Sequence, residues 1–358
     1  MEFYPVVIKH KHVETEDAVS LEFETGPDHP LTHFKSGQYI TLKMRHQRQE
    51  YLRCYSYSGM PDQNTVTVTV KKVPKGKISK WIVDEAKEGD EIMVAGPNGR
   101  FIIDPDLARR RVYYFFAAGS GITPVFSMIS GLLEHEPKSK IHLLYGNRKE
   151  EDIIFKSKID ALAQKYEGQL MVEYALSKHQ KGFLWTSRSD WSGLKGRIDG
   201  KMIADFMERH PPELKDCNYY LCGPGAFIQD LEKHLTGMGI ETTLIHKEYF
   251  SLPETDSSSS STLDSISMCD IKVQLEHKTH QLILNPGEKI LDGLIRQGLN
   301  PPYSCSSGAC ATCIAKVIQG KVRMDVALGL EEEEIAAGYI LTCQAHPITE
   351  ELEINYDV

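Results

Sequence analysis

The sequence predicts a multidomain chain: an antiparallel β domain, then an α/β domain on a parallel sheet, then a small module carrying clustered cysteines. Three observations predict it. Short stretches of strict apolar–polar alternation fill the first part, apolar strands alternate with helical patterns in the middle, and a Ser-rich tract sets off the end.

Residues 1–108 read as short strands divided by turns. "TVTVTVK" (Thr65–Lys71) alternates with period two, and "QYITLKM" (Gln38–Met44) and "DEIMVAG" (Asp90–Gly96) do much the same. Glycine–proline clusters such as "GPDHP" and "GPNG" separate them. Closely spaced strands of this kind make an antiparallel barrel or sandwich.

From residue 109 to 250 the pattern changes. "RVYYFFAAGSGITP" is an apolar run ending in a glycine turn and followed by the helical "VFSMISGLLEH". "KIHLLYGNR", "QLMVEYALS" and "CNYYLCGPG" then alternate with the helical "IIFKSKIDALAQKY" and "KMIADFMERH". Buried strands alternating with helices imply a parallel α/β sheet.

Residues 251–268, "SLPETDSSSSSTLDSIS" and the following Met268, offer little to bury and have the composition of a flexible linker. The last module, residues 269–358, opens with two alternating strands, a turn and a helix that ends at Gly298. No internal repeat is present.

The bulk numbers exclude several classes. At 358 residues, with 41% hydrophobic and 25% charged, the chain is an ordinary globular one. No stretch is long and apolar enough for a spanning helix, and the start lacks the apolar core of a signal peptide. A cytoplasmic location with mostly reduced cysteines is therefore expected. The net charge of −9 argues against a nucleic-acid surface. The basic run Arg109–Arg111 reads as a solvated turn.

Two glycine turns stand at strand ends. "AAGSGITP" puts Gly119 and Gly121 between a strand and a helix, with Pro124 suited to the first helical position. The free N–H groups of such a helix start favour a pyrophosphate. Packing alone explains many glycine turns, and this one departs from the G-x-G-x-x-G fingerprint. "CGPG" (Cys222–Gly225) ends a later strand, so both turns are expected to face one crevice.

The ordered set "RCYS" (Arg53–Ser56), "GKIS" (Gly76–Ser79), "GPNGRF" (Gly96–Phe101), "AGSGITP" and "CGP" resembles the ferredoxin–NADP reductase superfamily. With the cysteine-rich end, the chain resembles the reductase components of bacterial multicomponent oxygenases. "YGNR", "GRIDG" and "AAGYILTCQAHP" extend the likeness along nearly the whole chain, whereas the linker and Gly182–Leu194 fit least well.

That resemblance implies FAD on the first domain. Arg53 would meet its pyrophosphate, Tyr55 would lie along the flavin, and Ser56 would reach the N5 edge. Gly76, Lys77, Ile78 and Ser79 would start a short helix facing the same pyrophosphate, with Ser79 as N-cap. It places Thr123 and Cys222, with Gly223 and Pro224, near the nicotinamide. Glu248 becomes a proton relay and Phe250 an aromatic beside the flavin. Ser56, Cys222 and Glu248 are thus the catalytic candidates. Each has an ordinary structural reading as well: a strand serine, a small buried hydrophobe, the end of a domain-closing strand.

For the nucleotide, Arg148 and Lys178 lie at strand ends, with Ser177 beside the latter. They are candidates for a 2′-phosphate, and the position directly after "HLLYGN" holds Arg148 rather than an acidic residue that would take a ribose hydroxyl. NADPH is expected, with NADH the alternative.

Cys305, Cys310, Cys313 and Cys343 have the spacing C-x4-C-x2-C-x29-C. Disulfides are disfavoured by compartment, and structural zinc prefers paired knuckles at both ends. The three-plus-one division is the plant-type [2Fe–2S] spacing, and Ser306–Ala309, Ala311 and Thr312 are small enough for the backbone to wrap a cluster. The module is then a β-grasp ferredoxin domain. From residue 331 to the end there are eight Asp or Glu and no Lys or Arg. Glu331–Glu334 suit a helix start, or alternatively a face that steers a basic partner.

The expected activity carries electrons from NADPH through FAD and the cluster to an oxygenase component. The rivals are a reductase serving another ring- or steroid-hydroxylating oxygenase, and a non-catalytic chain with a zinc-stabilised binding module.

Overall fold

A computed structural model describes residues 1–46, 49–61, 65–74, 76–178, 191–251 and 268–358. Nearly all of the Ser-rich tract, and the larger part of Gly182–Leu194, fall outside the described residues. The chain divides into two compact units, Glu2–Phe250 and Ser251–Val358.

The first unit begins with β1 (Tyr4–Thr15), β2 (Ala18–Glu24), β3 (Tyr39–His46), β4 (Gln49–Ser56), β5 (Thr65–Lys71), helix α1 (Lys77–Asp84) and β6 (Glu91–Asn98). Their sheet order is β4-β3-β6-β1-β2-β5. An antiparallel bridge between Tyr57 and Val68 joins the two outer strands and closes a barrel. Alternation sets its inside: Val66, Val68 and Val70 are fully buried, along with Leu21, Phe23, Ile40 and Leu42. The "GPNG" cluster is not a free turn, because Gly96–Asn98 continue β6.

The α/β part continues with β7 (Val112–Ala118), α2 (Ile122–His135), β8 (Lys140–Asn147), α3 (Lys156–Lys165), β9 (Leu170–Leu176), β10 (Leu194–Lys195), α4 (Gly200–Arg209), β11 (Cys217–Pro224), α5 (Gly225–Gly237) and β12 (Ile245–Ser251). The sheet order is β10-β9-β8-β7-β11-β12, with β10 to β11 parallel to their neighbours. Order runs outward from β7 through β9, then resumes on the other side at β11. The β7–β11 boundary is therefore a switch point, the place where open α/β sheets take their ligands. Tyr113, Phe115 and Ala117 enter the core that α2 and α3 cover, while Tyr114 and Phe116 meet Phe206 of α4 edge-on.

Helix α2 also ties the barrel to this sheet. Ser127 Oγ donates to the Gly59 carbonyl at 2.7 Å, and Ser36 Oγ donates to the Ser127 carbonyl at 3.1 Å. A side chain at Gly37 would strike Phe101 O and Met128 Cε, 2.1 and 2.2 Å from the place of its Cβ. At the rim, Lys158 of α3 pairs with the buried carboxylate of Glu14 at 2.7 Å.

The second unit contains β13 (Cys269–Leu275), β14 (Lys278–Leu284), α6 (Ile290–Arg296), β15 (Ile314–Gln319), β16 (Val322–Met324), α7 (Glu332–Ala336), β17 (Tyr339–Leu341), β18 (Ala345–Pro347) and β19 (Glu351–Asn355). Its main sheet has the order β14-β13-β19-β15-β17, with β13 and β19 parallel. Ile290 and Leu294 of α6 pack onto that sheet, as a grasp fold requires. Gly298, at φ +84°, lets the chain leave the helix.

Candidate functional site

On the outer face of β4, alternation lines up Tyr51, Arg53 and Tyr55. The exposed Arg53 guanidinium lies 5.6 Å from the Tyr51 ring centre, and the Lys77 ammonium 5.8 Å from it. Lys77 also donates to Tyr51 Oη at 3.3 Å. One aromatic ring thus holds two cations at the start of α1. Among the described residues no side chain caps that helix, leaving its first N–H groups to a ligand. Tyr51 was not among the residues singled out from sequence, although its place two before Arg53 was the available signal.

Ser79 corrects an expectation. The N-cap is Gly76; Ser79 is the third helical residue, and its hydroxyl accepts the Val73 N–H at 3.2 Å. A Cβ at Gly76 would lie 2.4 Å from Ser79 Oγ and 2.5 Å from Val73 Cγ2, so a side chain there would have to displace both. Ile78 turns into the barrel core, leaving only its backbone to face an anion. Tyr55 is partly exposed, and burial of its hydroxyl end pushes the phenol up. Ser56 is buried at the end of β4.

At the switch point, the ends of β7 and β11 touch. The Gly121 position leaves no room for a Cβ, which would lie 2.1 Å from Cys222 O and 2.8 Å from Gly223 N. Gly121 therefore serves close packing, whereas Gly119, at φ +56° with nothing near its Cβ position, faces open space. Gly223 is packed against Ala118 and Phe227, and Pro224 is the exposed N-cap of α5. The buried Thr123 donates to the Ser120 carbonyl at 3.0 Å. Pro124 is the third residue of α2 rather than the first; its missing N–H still falls in the turn that makes no helix bond.

Cys222 is fully buried, and its thiol approaches Glu248 Oε2 at 3.9 Å. Burial pushes the thiol up, and burial also pushes Glu248 up to about 8. Glu248 as a whole residue is partly exposed. Two residues on, Phe250 is 39% exposed, an uncovered aromatic at the strand end.

Arg148, Ser177 and Lys178 are all exposed at the carboxyl ends of β8 and β9. They are brought together by backbone bonds: Ser177 N to Asn147 O at 2.9 Å and Lys178 N to Arg148 O at 2.8 Å. Lys71 of the barrel, lowered first by burial, senses both Asp152 and Arg148 and so borders the same place. Sequence reasoning missed it because it ends an ordinary alternating strand. Arg109 and Arg111 are held by Asp106 and Asp216, as a solvated turn would have them.

In the second unit the four cysteines gather. The thiols of Cys305, Cys310, Cys313 and Cys343 lie close enough to act on one another, Cys305 on Cys310 and Cys343, and Cys313 on Cys343. Those contacts, then the Ser307 groups, pull the Cys305 thiol down; the Ser307 N–H lies 3.4 Å from its sulfur. Ser306, Gly308 and Ala311 all have positive φ, which curls the loop around the thiols. Cβ atoms at Gly308 and Gly329 would collide with Gln344 and with the Ala311 N, so the wrapping strands approach as closely as glycine allows. Among the described residues no three His, Cys, Asp or Glu side chains are placed to hold a single metal ion. The division of the ligands, three thiols in one loop and the fourth in a later segment, suits a two-iron cluster better than the paired knuckles of structural zinc. Thr342 Oγ1 and N–H both bind the Cys313 carbonyl, at 3.0 and 3.1 Å, tying Cys313 to the segment that carries Cys343.

Comparison with known proteins agrees. An oxidoreductase FAD-binding domain model matches residues 5–103, an oxidoreductase NAD-binding domain model 115–233, and a 2Fe-2S iron–sulfur cluster binding domain model 273–347. The chain is 33% identical to a subunit of the 1,2-phenylacetyl-CoA epoxidase of Escherichia coli K12, covering 99% of this chain and 98% of that one. It is 31% identical to the 3-ketosteroid-9-alpha-monooxygenase ferredoxin reductase component of Rhodococcus rhodochrous, over 96% and 94%. Phthalate dioxygenase reductase shares the fold, with a TM-score of 0.61, 21% identity and coverage of 99% and 98%. The chain belongs to the family of oxidoreductases that join FAD-binding, NAD-binding and [2Fe–2S] domains in one polypeptide as reductase components.

Proposed function

We propose that this chain draws electrons from NADPH and delivers them to the oxygenase component of a phenylacetyl-CoA epoxidase. The observation that carries the reading is the gathering of Cys305, Cys310, Cys313 and Cys343 on a chain that also has an uncapped α1 and glycines where the ends of β7 and β11 meet. The likeness to the E. coli epoxidase protein over nearly all of both chains supports the acceptor. The near-equal likeness to the steroid monooxygenase component keeps a steroid-hydroxylating partner as the second reading.

A bound FAD would supply the chemistry that couples a two-electron donor such as NADPH to single-electron transfer through a [2Fe–2S] centre. The chain supplies position and charge. Arg53 and the first N–H groups of α1 hold the pyrophosphate, Tyr55 covers the flavin, and Ser56 faces its reacting edge. Gly119, Thr123 and Cys222 with Gly223 and Pro224 would shape the nicotinamide pocket, and Phe250 would lie beside the flavin. Glu248, neutral near pH 7 because burial raises it, holds a proton for the flavin edge. Arg148, Ser177 and Lys178 take the 2′-phosphate. The domain boundaries follow as 1–108, 109–250, a linker at 251–268, and 269–358. A cytoplasmic setting suits eight cysteines with no disulfide among them.

The test is the visible spectrum of the purified protein during anaerobic titration, with NADPH and then NADH. Bleaching of both flavin and cluster bands, at lower NADPH than NADH, is expected. A protein lacking the cluster bands refutes the output end, and equal response to both nucleotides refutes the 2′-phosphate site. Reduction of a reconstituted epoxidase oxygenase but not of a steroid one then separates the two acceptors.

A further inference from the structure

The cysteine loop is connected to the last residues of the chain by a line of hydroxyls that no motif predicts. Thr342 is fully buried, and its single hydroxyl proton goes to the Cys313 carbonyl at 3.0 Å. Its oxygen therefore accepts, and what it accepts is the Tyr356 hydroxyl at 2.8 Å. Both O–H dipoles point the same way, positive end toward the Cys313 peptide.

Tyr356 is held for this contact. It follows β19, the strand between β13 and β15 in the sheet, and its N–H bonds to Gln274 O at 2.9 Å. The next residue, Asp357, accepts the N–H groups of Glu276 and His277 at 2.9 and 2.8 Å. Those two residues form the β13–β14 turn and carry φ of 53° and 60°, so the turn itself is shaped to receive the carboxylate. Fixing such a segment costs conformational entropy, and here it carries a phenol aimed at the residue between Leu341 and Cys343.

We propose that Tyr356 is a positioning residue for the Cys313–Cys343 side of the cluster, acting through Thr342. Hydrogen bonds and oriented dipoles around an iron–sulfur centre tune its potential. Aligned hydroxyls polarise one another, so the Tyr356 dipole strengthens the one that Thr342 directs at Cys313. Together they favour the more negative, reduced cluster. Without the phenol, reduction becomes harder. The inference rests on the four-cysteine ligand set.

The experiment uses the full chain with its flavin and cluster. Tyr356→Phe keeps the ring and removes only the hydroxyl. It is expected to shift the electron-sharing equilibrium between flavin and cluster about threefold away from the cluster, or about 30 mV at 59 mV per tenfold. Thr342→Val should shift it further in the same direction, and Thr342→Ser should restore the wild-type value. Because the phenol acts through Thr342, adding Tyr356→Phe to Thr342→Val should change nothing more. Spectroelectrochemical titration and the EPR signal of the reduced cluster provide the readings, and thermal unfolding checks the fold. An unshifted potential in Tyr356→Phe, or shifts that add in full in the double variant, overturns the proposal and leaves the ligand set intact. Wild-type protein with no cluster bands overturns the ligand set and this proposal together.

Discussion

Gly121→Ala puts a methyl carbon 2.1 Å from the Cys222 carbonyl oxygen and 2.5 Å from its carbon. Non-bonded heavy atoms settle near about 3.5 Å, so something must move by about 1 Å. Both obstacles are backbone, and neither can rotate aside. What moves is the end of β11 or the start of α2, and these two carry Cys222 and Thr123. The same helix holds the barrel through Ser127, whose hydroxyl bonds to Gly59 O at 2.7 Å. A displacement at Gly121 therefore shifts the proposed nicotinamide pocket relative to the proposed flavin face. Misplacement by about 1 Å costs roughly 100-fold in rate, and overpacking costs about 1–3 kcal/mol in stability. The assay is anaerobic stopped-flow reduction of the flavin by NADPH, with thermal unfolding in parallel. Gly168→Ala is the control: φ is +78° and nothing lies within 4 Å of the Cβ position, so the cost is about 1–2 kcal/mol of backbone strain with no change in rate. Gly121→Ala reducing flavin at the wild-type rate would refute the reasoning.

His142 is 7% exposed, neither ring nitrogen has a hydrogen-bond partner among the described residues, and burial lowers it to about 4. The unfolded chain then binds the proton first as pH falls, so stability drops between about 6.5 and 4; His142→Phe should remove that slope, worth roughly 3 kcal/mol at its low end, in pH-dependent urea melts. Glu248 has the opposite sign. Its folded form keeps a proton up to about 8, so its contribution to stability declines as pH rises from about 4.5 toward 8; Glu248→Gln should flatten that decline in the same melts. Replacing Arg148 and Lys178 together by Ala should raise KM for NADPH about tenfold at unchanged kcat and leave NADH unaffected in steady-state assays. Glutamine at Glu331–Glu334 should slow transfer to the oxygenase and weaken its salt dependence; equal rates across ionic strength would sink the steering role.

Much of the architecture was legible because it rests on local periodicity. "TVTVTVK" reports a barrel strand through its period of two, and "RVYYFFAA" a buried parallel strand through its unbroken apolarity. The cysteine spacing was legible for another reason: a short loop places its thiols by sequence distance alone. Cap geometry was not. Whether Gly76 or Ser79 begins α1 depends on how closely Val73 approaches, and that is settled by the strand before it. His142 reads as one residue of an apolar strand; only the fold sets its ring 5.3 Å from that of His210. Tyr51 and Lys77 meet across 26 residues, and Tyr356 reaches Thr342 from just beyond β19. Contacts of that kind have no pattern to read.

The two ends of the electron route use glycine to opposite purposes. At the crevice, Gly121 lets two backbones touch, and the benefit is a fixed distance between α2, β11 and the barrel that α2 grips. Around the cysteine loop, Gly308 and Gly329 let the chain fold back over itself, and the loop brings the Ser307 N–H to the Cys305 sulfur at 3.4 Å. Hydride transfer falls steeply with misplacement, so its site is built from packed main chain. A single electron tolerates distance better, and what it responds to is potential. The cysteine loop is accordingly bordered by oriented dipoles, and the line from Tyr356 through Thr342 to the Cys313 carbonyl carries that influence in from the end of β19.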